Sequence, residues 1–385
     1  MEAKLNKKIE KKTGILSTLI NVLVPILLAL IIAIIPILIQ NENPFKVYFY
    51  MIFGNFTSFD NIATLFHTMA PLILTGMAIG ISFKAGLFNM GVESGVIVSG
   101  FVTAVLGYYL KSWPKGVLVP FLFLVGAICG IIVLIIPAIL KAYLNVNEMV
   151  VTLLLNYAYI DILKYFTTYV DGIRDKQAGY IKTFTIGQNA SLTGFFGSSF
   201  TLFFFIAILI FFILLFLIKR TKLGYRIDAL GKNTCYSEAV GLNVKKSIIG
   251  IMLLSGAIAG IAGAGWLMSD KKSYALDFSG SPGLGWDGMV ISLLGAHSPI
   301  GILVSSLFYG ILKAGVNYVS FNTIVPGQII LIIQGLLILF LSFKIFTNKS
   351  SIEYIRLKNF INRCELYFEK KKNKRQKIEV DKEWK

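Results

Sequence analysis

The chain has little of what a metal or thiol site requires, with three cysteines and two histidines in 385 residues. Cys129, Cys235 and Cys364 stand alone, and His67 and His297 have no neighbouring ligand set. Metal binding and thiol catalysis are therefore unsupported, and each cysteine reads as a small packing residue or a dispensable thiol. A phosphate-binding loop is also missing. The nearest match, Gly231-Lys232, is followed by Asn233 and has no glycine five positions earlier. The chain is expected neither to hydrolyse ATP by itself nor to hold a cofactor. Charge is scarce as well, at 15% of residues.

Apolar residues fill the space. They make up 56% of the chain, with 30 Phe and 35 Gly and a mean hydropathy of +0.73, far beyond a usual soluble domain. The reading is an all-α, polytopic membrane protein. Residues 22–39 carry no charge and reach the roughly 18 to 20 residues that cross the hydrocarbon core. The run is too long for a signal-peptide core and no small-x-small cleavage site follows, so a retained anchor is expected. Further spans are predicted near 62–82, 91–110, 118–140, 148–170, 198–218, 248–268, 286–296, 298–316 and 327–347. The run at 286–296 is short for a full crossing and fits a half-helix. The count is nine or ten.

Basic residues set the expected orientation. Lys4, Lys7, Lys8, Lys11 and Lys12 lie at the amino end, seven Lys and Arg fall in 219–247, and the tail carries Lys370, Lys371, Lys372, Lys374 and Arg375. All three segments are expected in the cytoplasm, a parity that ten spans satisfy. This gives a basic amino terminus over 1–14, a transmembrane domain over 15–347 with a cytoplasmic loop at 219–247, and a basic tail over 348–385. The net charge of +17 thus reports topology and anionic lipid rather than nucleic acid.

Residues 83–100 break the apolar pattern. Lys84, Asn89 and Glu93 sit there beside Gly86, Gly91 and Gly95, and polar groups at membrane depth are costly enough to suggest a lined pathway. Asn147 and Glu148 read as the start of a span, an N-cap and a complement to the helix dipole. Thr152 and Asn156 lie four apart on one face of that helix. Gly256 and Gly260, with Gly263, allow close helix approach. Asp287, between Gly285 and Gly288, is placed to cap the half-helix.

Four runs in order carry a resemblance: Phe88-Asn89-Met90-Gly91-Val92-Glu93, Asn147-Glu148 through Asn156-Tyr157, Ser255-Gly256 through Gly263, and Ser292 through Gly301. Over about residues 62–345 the chain resembles the permeases of ABC importers for branched-chain amino acids, simple sugars and nucleosides, and most of all the nucleoside subfamily. One departure is Glu93-Ser94-Gly95, where the family commonly has Glu-Gly-Gln.

The resemblance implies an inverted-repeat permease in a bacterial cell membrane, with both termini inside. Its implied partners are an ABC ATPase that binds the ATP, a second permease and an external solute-binding lipoprotein. It implies a coupling helix within 219–247 around Glu238, Ala239 and Gly241. Phe88, Asn89, Glu93, Thr152 and Asn156 are the substrate-path candidates. Glu93 either pins a re-entrant loop or accepts a solute hydroxyl, Phe88 either stacks on a ring or packs, and Asn156 either lines a cavity or finds an internal partner. The expected solute is a nucleoside, with ribose or another simple sugar as the alternative. An ion-coupled carrier is the rival from another class, and Asp161 and Lys164 are its extra candidates.

Overall fold

A chain this apolar must satisfy its backbone within itself, and helices do so segment by segment. The computed structural model describes residues 24–275 and 283–342. Among these residues every regular element is a helix, and strand-like pairing is limited to isolated bridges such as Arg174–Thr183 and Lys182–Ala275.

The helices are α1 (Val24–Ile39), α2 (Pro44–Phe53), α3 (Phe59–Lys84), α4 (Val92–Tyr109), α5 (Lys115–Leu144), α6 (Glu148–Tyr169), α7 (Leu202–Arg220), α8 (Lys222–Lys232), α9 (Thr234–Ala239), α10 (Val244–Trp266), α11 (Leu284–Leu294), α12 (Pro299–Asn322) and α13 (Ile329–Ser342). Among the described residues seven are long and apolar enough to cross a membrane, and the broken pair Val24–Ile39 and Pro44–Phe56, counted as one span, gives an eighth. α11 and α13 are shorter apolar helices. Each of the ten predicted segments coincides with a helix. The basic amino terminus, the tail with Cys364, and the outer parts of the first and last predicted spans lie outside the described residues.

Two compact units divide the chain, Ile34–Gln334 and a second made of 1–33 with 335–385. The described part of the second is the first ten residues of α1 and the end of α13. Everything below belongs to Ile34–Gln334.

α3 is the central helix of this unit. Residues 69–83 are buried without interruption, including Thr75 and Ser82, whose hydroxyls bond back to Pro71 and Ala78 carbonyls. α10 is the second axis, packing on α5, α4 and α3. It meets α5 through glycine: a Cβ on Gly130 would strike the Gly256 carbonyl oxygen, and one on Gly260 would strike the Gly126 carbonyl oxygen. Gly263 sits in the same way against the Val96 carbonyl of α4. α7 packs mainly on α3, and α11 is held between α3 and α12. α6 is peripheral, with Leu154, Tyr157 and Tyr165 exposed.

α2 lies in a segment to which the sequence analysis assigned no helix, although its start signal is present: the Asn43 side chain accepts the Phe45 N–H at 2.9 Å and Pro44 takes the first turn. Segment 171–201 folds back over the helix ends, with Thr183 N–H to Tyr274 O at 2.8 Å, Ile186 N–H to Lys272 O at 2.8 Å and Gly187 N–H to Gly107 O at 3.1 Å.

Candidate functional site

The break between α3 and α4 gathers most of the polar residues singled out above. Gly86 turns the chain at φ +77°, a conformation that favours glycine, and Leu87 N–H returns to Ser82 O at 2.9 Å. The next backbone groups find side chains from other helices. Phe88 N–H donates to Glu148 Oε1 at 3.1 Å, Met90 N–H to Thr152 Oγ1 at 3.2 Å, and Met90 O accepts from Asn156 Nδ2 at 3.1 Å. Asn89 works in both directions: Oδ1 accepts the Gly91 N–H at 3.0 Å and Nδ2 donates to Ser255 Oγ at 3.1 Å. Ser255 in turn donates to Ala78 O at 2.8 Å, and Ser94 donates to Asn156 Oδ1.

Asn89, Thr152, Asn156, Glu148, Ser94 and Ser255 are all buried. The lattice therefore binds an open turn of backbone to α6 and α10 in a region where unpaired groups cost several kcal/mol each. Glu148 does more than complement a helix dipole, since Lys141 Nζ meets its Oε2 at 2.9 Å. Asn147 caps α6 by accepting the Met149 N–H at 3.0 Å.

Glu93 reaches across to α11. Its carboxylate accepts the Gly283 N–H at 3.1 Å and the Gly285 N–H, so α4 supplies the cap of the half-helix. A Cβ on Gly285 would press on Glu93, which explains the glycine there. This corrects the reading of Asp287. It lies in the first turn of α11 but makes no capping bond; its Oδ1 accepts from Tyr309 Oη at 2.7 Å and its Oδ2 pairs with Lys313. The capping role had already passed to a residue on another helix. Tyr309 and Lys313 were missed in the sequence, where the signal was a tyrosine and a lysine four apart on a span.

The Phe88 side chain, unlike its N–H, lies outside this network. The residue is 49% exposed and its ring packs 4.8 Å from that of Phe83, which also meets His297 edge-on at 5.5 Å. Lys84 pairs with Asp228 at 2.7 Å, tying the end of α3 to α8, and Gly231 abuts the Lys84 carbonyl. Between α7 and α10 the chain thus forms two short helices, α8 and α9, where one coupling helix was expected. Beyond α8 the short α9 is exposed, with Glu238, Ala239, Tyr236 and Val240 at its surface, and Gly241 leaves it at φ +83° with open space around it. Among the described residues no group of three His, Cys, Asp or Glu is placed to hold a metal ion.

The family model described as "Branched-chain amino acid transport system / permease component" matches residues 61–342. The chain belongs to that permease family. It is an integral membrane component of an ABC transporter, and the family implies an ATPase partner. The permease is 29% identical to the nucleoside ABC transporter permease protein NupB of Lactococcus lactis subsp. cremoris, over 80% of this chain and 86% of that one. It is 32% identical to the guanosine ABC transporter permease protein NupP of Bacillus subtilis, over 71% and 78%. A glucose ABC transporter permease protein of Haloferax volcanii is 27% identical over 80% and 82%. No solved structure matches the chain significantly.

Proposed function

We propose that this permease carries a nucleoside across a bacterial cell membrane, driven by ATP hydrolysis on its partner ATPase. The similarity to nucleoside and guanosine permeases over most of the chain carries this reading. The amides and hydroxyls at the α3–α4 break support it, because they suit a ring-bearing, hydroxyl-rich solute, while the carboxylates there are already engaged, Glu93 by the Gly283 and Gly285 N–H groups and Glu148 by Lys141. Asn89, Glu93, Thr152 and Asn156 shape the path by holding its wall in place, and Phe88 offers the accessible ring face. A second, homologous permease completes the path and an external lipoprotein delivers the solute.

Glu238, Ala239 and Gly241 dock into the ATPase, so that α8 and α9 face the cytoplasm, and the basic residues at both ends of the sequence favour the same side for both termini. The chain itself performs no covalent chemistry. Membranes holding the complete importer are expected to accumulate radiolabelled guanosine in an ATP-dependent manner, and Asn89→Ala to reduce that uptake. Leucine uptake without nucleoside uptake would overturn the assignment. The glucose permease relative favours a simple sugar as the second reading, and ribose or glucose uptake alone would move the permease to that branch.

A further inference from the structure

α5 and α7 approach each other through the rings of Phe123 and Phe203, 6.2 Å apart, and leave a groove of about 500 Å³ beside them. Val119 and Phe123 form one wall, Ile206 and Ile210 the other, and Ile261 of α10 the floor. Among the lining residues Lys115, the first residue of α5, is the only charged one. Water is a poor occupant, since it needs two to four polar partners. On α5 the lining runs from Lys115 to Phe123, about 12 Å at the helical rise, against about 15 Å for one leaflet of hydrocarbon.

We infer that this groove is a binding site for one acyl chain of an anionic phospholipid, with the headgroup phosphate held by Lys115. The match rests on three features: apolar walls, a length close to one leaflet, and a cation at the polar end only. The lysine ammonium and the start of α5 both favour negative charge at that rim. Occupancy fills the gap between α5 and α7 and so supports α7, which otherwise leans mainly on α3. The site stands whatever solute the permease carries.

The test uses the full chain with its co-purifying subunits, reconstituted with phosphatidylglycerol or phosphatidylcholine bearing a diazirine on one acyl chain. After irradiation, the phosphatidylglycerol probe is expected to label residues 115–123 and 202–210 several-fold more than the exposed α5 positions Ile128 and Ile136. The phosphatidylcholine probe should label the groove less. Ile206→Trp, which fills the groove, should remove that labelling. Lys115→Glu, at an exposed position, should keep it while cancelling the preference for phosphatidylglycerol. Equal labelling of groove and control positions, a Lys115→Glu protein with unchanged preference, or no groove labelling because a neighbouring subunit covers it would each overturn the proposal.

Discussion

A carboxylate that is 2% exposed inside a membrane protein, as Asp287 is, survives only with partners. Tyr309 and Lys313 provide them from α12. Removing the half-buried Lys313 strands the buried Asp287 carboxylate, so Lys313→Met should cost about 3–5 kcal/mol of stability, whereas replacing the set by apolar residues is nearly neutral. The expected result is therefore a large fall in the thermal unfolding midpoint for Lys313→Met and recovery of most of it in Lys313→Met with Tyr309→Phe and Asp287→Leu. A triple variant as unstable as the single one would show that the cluster does not act as a unit. Asn89, Glu93, Thr152 and Asn156 were legible in the sequence because polar residues are rare in such runs. Lys313 was not, because its partner lies on a different helix, and reasoning about caps sees only the local chain.

Helix packing offers a contest between two effects of the same substitution. Gly to Ala raises helix propensity by about 1 kcal/mol, but overpacking costs about 1–3 kcal/mol or more. At Gly130 the new methyl would meet the backbone of α10, whereas at Gly250 nothing lies within 4 Å. Gly130→Ala should therefore lower the unfolding midpoint, and Gly250→Ala should leave it unchanged or raise it. Similar losses at both positions would argue against a glycine-mediated seam. Between α9 and the start of α10, Gly241 holds φ +83° in open space, so Gly241→Val strains the exit from α9 without touching the core. Membrane levels should stay normal while ATP-driven guanosine uptake falls; unchanged uptake would place the coupling element elsewhere. The long helices were readable from apolar length, while α2 was hidden in a short segment where only its Asn43-Pro44 start gave it away.

At the scale of the whole molecule, apolar length located all ten segments but not the ties that close the break between α3 and α4 or seat α11 against α4. Those ties come from residues distant in sequence, such as Glu148 on α6, Ser255 on α10 and Glu93 on α4. The Glu93 contact also bears on selectivity. The start of a helix is an ordinary seat for a phosphate, and at α11 a carboxylate of the protein already holds it. A phosphorylated solute would meet a full negative charge there instead of bare N–H groups, and like charges repel. Guanosine monophosphate in large excess should accordingly leave guanosine uptake unchanged, so that the permease admits the dephosphorylated form alone; effective competition would mean that the seat opens to anions during transport.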